Sequence, residues 1–239
     1  TQAGPPIDYT TVTIPEGFTI EQIAARIDEE IGIPADEFEE LALKRAGRFK
    51  QPFLDTNNTV SLEGYLFPKT YEIRDDSSAE QVINQMLDQF GFELESLDLR
   101  AAERGGMTLH DIVTVASMVE REVRLPDERP LVSSVIYNRL ANKMFLEIDA
   151  TIEYVLPGTR PRLLNKHLRI DSPFNTYRHK GLPPGPIASP GLPSLQAAIH
   201  PKKTGYYFYV LTGRDGSHTF TTNEADFLRA KEASRRVLP

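Results

Sequence analysis

The side chains best suited to chemistry in this sequence are two glutamates in the stretch ASMVEREV, Ala116–Val123. Glu120 shares a helical stripe with Val113 and Ala116, seven and four positions before it. A carboxyl group on an apolar stripe is partly desolvated, which raises its pKa by disfavouring the charged form. Cleavage of a glycosidic bond requires such a protonated acid near neutral pH, because the leaving oxygen must gain a proton.

Solvent exposure is the competing interpretation of both glutamates. Most helical glutamates lie at the surface, and there Glu120 would pair with Arg124, four positions later. Glu122 lies about 200° further round the helix, at 3.6 residues per turn, so we expect the two carboxyl groups to serve different sites. The helix pattern alone favours the exposed position.

Other classes of chemistry find little support in the sequence. Cysteine is absent, so the chain has no disulfide, thiolate zinc ligand or thiol nucleophile. None of the five histidines lies within four residues of another, and HExxH and CxxC spacings do not occur, so we expect no metal and no cofactor. The sequence also lacks a glycine-rich phosphate loop and a G-x-S-x-G motif, which disfavours phosphoryl transfer and serine-hydrolase chemistry.

Charge and hydropathy limit the partners. The net charge of −7, from 27 basic and 34 acidic residues, disfavours nucleic acid, which needs a concentrated basic surface. No stretch approaches the roughly 20 apolar residues that span a bilayer. The start, TQAGPPIDYT, has neither an initiator methionine nor a signal-peptide core, so we interpret it as a processed or trimmed end with room for an upstream anchor.

Interleaved helix and strand patterns predict a mixed α+β fold. Residues 9–33 are typical of a strand, a turn and a helix that opens with a capping box of Thr19 and Gln22. Further helical patterns cover residues 78–91 and 108–123, and the stretch GYYFYVLTGRDGSHTFTT predicts a β-hairpin that turns near Asp215-Gly216.

A proline-rich segment, GLPPGPIASPGLP at residues 181–193, has five prolines and three glycines in thirteen positions. It fits neither a regular helix nor a central strand. Ordered patterns flank it, so we expect a stiff, shaped loop rather than a disordered linker. Asn175, Thr176 and Tyr177 stand just before it and offer hydrogen bonds and a stacking ring that suit sugar recognition; an ordinary polar turn is the alternative.

Taken together, these segments resemble the YceG-like endolytic murein transglycosylases over about residues 60–225. The matching segments, in the order and approximate spacing of that family, are LEGYLFPKTYEI, ASMVEREV, VIYNRLANKMFLEIDATIEYV, DSPFNTYRHKGLPPGPIASPG, SLQAAIHPKKTGYYFYV and GSHTF. The start, VTIPEGFTIEQIA, resembles the opening of LysM-like glycan-binding modules, with Phe18 in place of the usual aspartate. We therefore expect a small LysM-like β-α-α subdomain in residues 1–60. A YceG-like mixed α/β catalytic domain with a C-terminal β-hairpin is expected in residues 61–239.

The resemblance implies cleavage of the β-1,4 bond between N-acetylmuramic acid and N-acetylglucosamine within a peptidoglycan strand. No water is used, and a 1,6-anhydro-muramic end results, which would terminate or trim nascent strands. Glu120 matches the catalytic glutamate of the family. It would protonate the leaving oxygen and then take the proton of the C6 hydroxyl of the same sugar, so that no second carboxylate has to activate water.

Other site residues follow from the match to the family. Glu63 in LEGYLFP matches an acidic position of the cleft, where it would orient substrate or polarise the catalytic acid, or else only fix the chain. Asp149 matches an aspartate that precedes a threonine, with helix capping as the alternative. Asn175, Tyr177 and His218 are candidates for binding the saccharide and stabilising the developing charge, and a structural role for His218 is an equal alternative.

The implied partners are the glycan strands of peptidoglycan, with cell-wall synthases or division proteins as further candidates. The implied location is the bacterial cell membrane, with a single-pass anchor outside this sequence and the catalytic domain outside the cytoplasm. Two alternatives for the function stay open. One is a muramidase that hydrolyses the same bond, and the other is a non-catalytic glycan-binding or divisome scaffold protein.

Overall fold

The computed structural model describes residues 8–55, 60–158 and 163–237. Within these ranges the chain has nine α-helices and four β-strands, and the strands form two separate antiparallel pairs. The mixed α+β class predicted from the sequence is confirmed. No helix in the described ranges is both long and apolar enough to cross a membrane.

The chain divides into two compact units. The first comprises the described residues up to Leu97 together with Ala188–Gly191. The second comprises Asp98–Ile187 and the described residues from Leu192 onward. A short piece of the proline-rich segment therefore belongs to the unit that is formed mainly by the N-terminal part of the chain.

The sheet of the first unit is made by β1 (Tyr9–Thr13) and β2 (Thr70–Arg74), which pair antiparallel with Val12 opposite Tyr71. Val12 and Tyr71 are both buried. The strand that partners β1 thus lies beyond the boundary predicted at residue 60. The chain passes from strand to helices as expected for the N-terminal subdomain, and its assignment as LysM-like stays a prediction.

The helices of the first unit follow local sequence signals. They are α1 (Ile20–Ile31), α2 (Ala35–Glu39) and α3 (Ala79–Glu95), with a π-helical turn (Glu40–Lys44) and a 3-10 turn (Ala46–Arg48) after α2. The predicted capping box is confirmed: Thr19 Oγ1 accepts the N–H of Gln22 at 3.3 Å, and the Gln22 side chain accepts the N–H of Thr19 at 3.0 Å. Gly32 ends α1 with φ of 81°, a conformation that glycine adopts without a steric cost.

The second unit is mainly helical. Its helices are α4 (Arg100–Arg104), α5 (Leu109–Glu122), α6 (Arg129–Ala141), α7 (Asp149–Val155), α8 (Leu192–Ile199) and α9 (Glu224–Val237). Helices α5, α6 and α8 pack against one another. Every residue of α5 from Ile112 to Val119 is buried, so α5 is the central helix of this unit.

The C-terminal hairpin consists of β3 (Phe208–Leu211) and β4 (His218–Thr221). Leu211 lies opposite His218, and Gly216 in the turn has φ of 92°. The predicted hairpin and its turn are confirmed. Helix α9, for which the sequence analysis made no prediction, packs on the hairpin.

The first half of the proline-rich segment is attached to α5 by hydrogen bonds. His110 Nε2 lies 2.9 Å from the carbonyl oxygen of Pro184, and the N–H of Ile187 donates to Ser117 Oγ at 3.0 Å. Ile187 is buried. These contacts fix the segment at defined points, as expected for a stiff loop.

The next residues of the segment are fixed within the first unit. The N–H of Ser189 donates to the carbonyl oxygen of Phe18, and the N–H of Gly17 donates to that of Ser189, both at 2.8 Å. Ser189 is therefore paired through its backbone with Gly17 and Phe18, in the turn that precedes α1.

Candidate active site

Glu120 lies in the last turn of α5, and its side chain is only 6% exposed. The helix begins with a capping box, in which Thr108 Oγ1 accepts the N–H of Asp111 at 3.1 Å and the Asp111 carboxylate accepts that of Thr108 at 2.8 Å. The solvent-exposed position that the helix pattern favours is therefore wrong for Glu120. The reason is that α5 is buried on all sides from Ile112 to Val119, and the side chain of Glu120 continues this enclosed part of the helix.

The partner of Glu120 is Arg129, the first residue of α6. Its Nη2 donates to Glu120 Oε1 at 3.3 Å, and its Nε donates to Ser194 Oγ at 3.0 Å. The Arg129 side chain is 11% exposed and Ser194 is fully buried. One guanidinium thus connects α5, α6 and the first turn of α8, and it places a positive charge beside the Glu120 carboxyl group.

His218 is held by Glu128, the residue directly before Arg129. Glu128 Oε1 accepts the backbone N–H of His218 at 2.8 Å, and its Oε2 lies 2.7 Å from His218 Nδ1. The imidazole is 8% exposed and meets the ring of Tyr209 edge-on, with 5.6 Å between the centroids. Glu128 therefore fixes the orientation of this imidazole. The sequence analysis did not identify Glu128, which is ninety residues away from its partner in the chain.

Glu122 is a second acid of the same helical turn, and it is partly buried. Its Oε2 accepts the phenol hydrogen of Tyr209 at 2.8 Å. Burial raises the pKa of Glu122 to about 7, and the nearby carboxylates of Asp149 and Glu153 act in the same direction. The bond from Tyr209 opposes this shift in pKa.

Asp149 and Tyr177 contact each other directly. The Tyr177 hydroxyl donates to Asp149 Oδ1 at 2.5 Å. Burial raises the pKa of Tyr177, and the bond to Asp149 raises it further, so the phenol stays a hydrogen-bond donor. Asp149 is exposed and is the first residue of α7, a helix without a side-chain cap. Its charge at that end suits the helix dipole.

Asn175 is completely buried and its amide group is hydrogen-bonded inside its own loop. Its Nδ2 donates to the carbonyl oxygens of Leu168 at 3.0 Å and Ile170 at 2.8 Å, while its Oδ1 accepts the N–H of Tyr177 at 3.0 Å. Thr176 is also buried, and its Oγ1 accepts the N–H of Ile148 at 2.9 Å. This NTY stretch is a buried support that sets the position of Tyr177.

Glu63 belongs to the first unit. It is 4% exposed, and both of its carboxylate oxygens lie 3.2 Å from the N–H of Ile20, the first residue of α1. A carboxylate at this end of a helix is stabilised by the unpaired N–H groups and by the helix dipole. The observed contact thus fixes the chain to the start of α1.

The other candidates from the sequence lie in the second unit. There the structure brings Asp149 and Tyr177 together and connects His218 to Tyr209, while Glu120 is paired with Arg129. Among the described residues, no three histidine, aspartate or glutamate side chains are grouped so that they could hold a metal ion. The chemistry available is that of one nearly buried carboxyl group beside a cation, with tyrosines and an oriented imidazole in the same unit.

Comparison with known proteins matches most of the chain. The model of the YceG-like family matches residues 2–233. An endolytic murein transglycosylase of Bacillus subtilis is 37% identical in an alignment of length 235 that covers 92% of this chain and 64% of that protein. One of Streptococcus pneumoniae is 31% identical in an alignment of length 237 that covers 90% of this chain and 43% of that protein. The chain thus spans about two thirds of the length of the Bacillus subtilis relative and less than half of the length of the Streptococcus pneumoniae relative.

A solved structure gives the same match. The crystal structure of a yceG-like protein from Listeria monocytogenes aligns with a TM-score of 0.85 at 31% sequence identity. The alignment covers 92% of this chain and 75% of that one.

Proposed function

The chain belongs to the YceG-like family, and from this premise we propose that it is an endolytic lytic transglycosylase of peptidoglycan. Relatives at 31% and 37% identity carry the name endolytic murein transglycosylase. The observation that carries the proposal is the 6% exposed carboxyl group of Glu120, paired with Arg129 at 3.3 Å. The bond cleaved is the β-1,4 bond between N-acetylmuramic acid and N-acetylglucosamine.

In the first step Glu120 acts as the acid. Its proton passes to the glycosidic oxygen as the bond from that oxygen to C1 of the muramic sugar breaks, and positive charge develops on the sugar ring. Glu120 is left as a carboxylate. The guanidinium of Arg129, 3.3 Å from Oε1, stabilises that new negative charge, and its second bond to Ser194 keeps it in place.

In the second step the same carboxylate acts as the base. It takes the proton of the C6 hydroxyl, and the C6 oxygen forms a bond to C1 of the same ring, which gives the 1,6-anhydro end and restores the acid. No water is consumed. Because the nucleophile belongs to the substrate itself, its effective concentration is high and a single carboxyl group is sufficient.

Saccharide contacts are proposed for Tyr177, Asp149 and His218. Tyr177 and Asp149 form a hydrogen-bonded pair with Asp149 exposed, and His218 carries an imidazole oriented by Glu128. Asn175 is proposed to act through Tyr177, whose N–H it binds. Glu63 is proposed to act through α1, since both of its oxygens contact the start of that helix.

The setting of the enzyme is part of the same proposal. Murein lies outside the cytoplasm, and relatives are named for it, which supports an extracytoplasmic catalytic domain. A single-pass membrane anchor outside this sequence is part of the proposal. We also propose that residues 1–60 contribute a LysM-like module and residues 61–239 the catalytic domain. Cell-wall synthases and division proteins are the proposed protein partners.

The test is digestion of nascent, uncrosslinked peptidoglycan with product masses read by mass spectrometry. Wild type is expected to release fragments with 1,6-anhydro ends from within strands, and Glu120→Gln to release none. The exposed Glu103→Gln on α4 is the matched control and is expected to cleave like wild type.

The other outcomes identify the alternatives. Products that are one water heavier, with reducing ends, would show a muramidase. Glycan binding without any cleavage by wild type would show a scaffold protein. Full cleavage by Glu120→Gln would show that Glu120 is not the acid.

A further inference from the structure

Glu122 connects the end of α5 to the hairpin of the second unit. It lies two residues after Glu120, in the same last turn of the helix. Its carboxyl group accepts a hydrogen bond from the hydroxyl of Tyr209 on β3 at 2.8 Å. This partly buried side chain therefore joins the turn that carries Glu120 to the hairpin.

We propose that Glu122, with Tyr209 as its partner, is a positioning residue that holds the last turn of α5 so that Glu120 keeps its geometry toward Arg129. This inference rests on the proposed role of Glu120 as the acid. Glu122 itself does not touch the substrate in this proposal; its carboxyl group acts through the hydrogen bond from Tyr209.

The hairpin also contacts the Arg129 side of the Glu120–Arg129 ion pair, through Glu128. Glu128, the neighbour of Arg129, binds both the backbone and the imidazole of His218 on β4, and that imidazole packs edge-on against Tyr209 on β3. The contacts thus form a closed ring. Its members in order are Glu120, Arg129, Glu128, His218, Tyr209 and Glu122. Loss of the Tyr209 hydroxyl removes the contact between Tyr209 and Glu122, and so opens this ring two residues after Glu120.

We expect the position of Glu122 to depend on pH, because its carboxyl group titrates near other charged groups. Glu122 is surrounded by Tyr209 from β3, by Asp149 and Glu153 from α7, and by Tyr177 from the loop before the proline-rich segment, while Arg139 lies near Tyr209. An ionised Glu122 would be a buried negative charge beside the Asp149 carboxylate. Since burial raises the pKa of Glu122 to about 7, we expect repulsion from Asp149 to loosen the turn as pH rises through that value.

The experiment measures kcat and KM from pH 5.5 to 9 on uncrosslinked glycan strands for wild type, Glu122→Gln, Tyr209→Phe and Tyr207→Phe. Tyr207, the residue directly before β3, is the matched control. Its hydroxyl accepts a hydrogen bond from Asn142 at 3.2 Å and does not contact Glu122 in the structure's hydrogen bonds. Thermal unfolding of each variant checks that it is folded.

Tyr209→Phe is expected to lower kcat about tenfold with KM within about twofold, because a small displacement of a catalytic group costs rate rather than affinity. In wild type the hydrogen bond from Tyr209 stabilises the charged form of Glu122 and lowers its pKa. Tyr209→Phe removes this bond, so the fall of kcat across neutral pH is expected to move to higher pH. In Glu122→Gln this fall is expected to disappear. Tyr207→Phe is expected to match wild type.

The proposal is overturned if Glu122→Gln and Tyr209→Phe keep the kcat and pH profile of wild type. It is equally overturned if both lose kcat with an unshifted profile, since a purely structural tie would do that. Wild type that makes no anhydro ends overturns the proposed function and this inference together. A measurement without variants is carbon-detected NMR of labelled glutamate: the midpoint of the Glu122 titration must agree with that of kcat.

Discussion

Glu122 is a partly buried acid whose raised pKa predicts that its ionisation affects the stability of the fold. Burial raises its pKa to about 7 in the folded protein, from the ordinary glutamate value of 4.5. At pH values between these two pKa values, Glu122 keeps a proton in the folded protein that it has lost in the unfolded chain. The stabilisation is therefore complete below about pH 4.5 and is lost as pH rises through 7.

We expect Glu122→Gln to remove this dependence, because the amide has nearly the same shape and does not ionise. The free energy of unfolding of wild type, measured with urea, should decrease relative to that of Glu122→Gln by on the order of 3 kcal/mol between pH 4.5 and pH 8. Parallel pH curves for the two proteins would contradict the raised pKa.

Asn175 shows a different use of a polar residue. Both N–H donors of its amide group and one lone pair of its Oδ1 are used by backbone groups of its own loop. A side chain in that situation organises backbone and has no donor left for a ligand. Its influence on a saccharide would therefore pass through Tyr177.

At the scale of elements, Arg129 connects three helices through one side chain. Truncation by Arg129→Ala would leave Glu120 buried without its cation and Ser194 without its donor. Breaking a buried pair in this way typically costs about 3–5 kcal/mol. We expect Arg129→Ala to lower the free energy of unfolding by about that amount and kcat by more than tenfold.

Two further variants make this prediction specific. Arg129→Lys keeps the charge but lacks the planar fork that reaches Glu120 and Ser194 together, so its kcat and stability should lie between those of wild type and Arg129→Ala. The exposed Arg104→Ala on α4 should stay within about 0.5 kcal/mol of wild type. Equal stability of Arg129→Ala and Arg104→Ala in urea unfolding would refute the role assigned to the ion pair.

The hairpin connects these residue-scale contacts to the rest of the second unit. β3 supplies Tyr209 to Glu122, β4 supplies His218 to Glu128, and α9 packs on both strands. Because the strands are paired with each other, the contacts on the two sides of the Glu120–Arg129 pair are joined by the backbone hydrogen bonds of one hairpin.

At the scale of the whole molecule, the first unit is discontinuous in sequence. Ala188–Gly191 belongs to it, and Ser189 exchanges backbone hydrogen bonds with Gly17 and Phe18. A fragment cut after Leu97 would therefore lack part of its own unit. We expect the Gly17 amide to exchange with solvent at least about tenfold faster in a fragment of residues 1–97 than in the full chain.

The internal control for this experiment is the amide of Ile23, which donates to the carbonyl oxygen of Thr19 at 2.9 Å within the start of α1. Its protection should survive in the fragment. If Gly17 is equally protected in both forms, residues 188–191 do not belong to the unit in solution.

The sequence alone determined those features whose causes lie within a few residues of each other. The capping boxes of α1 and α5 join side chains three positions apart, and the turn of the hairpin depends on Gly216. The sequence also predicts Glu120 as the candidate acid, from the apolar stripe and from the resemblance of ASMVEREV to one family, and that role stays a prediction. Local geometry and short motifs need no knowledge of the rest of the fold.

Only the tertiary structure decided which groups surround that acid. Arg129 comes from another helix, and Tyr209 is eighty-seven residues away from Glu122. The helical period correctly placed the two glutamates on different sides of α5, but it favoured solvent because most helices have an exposed face. Here neighbouring helices and the hairpin enclose the helix on both sides. Enclosure of this kind depends on long-range packing, and no pattern within a single helix encodes it.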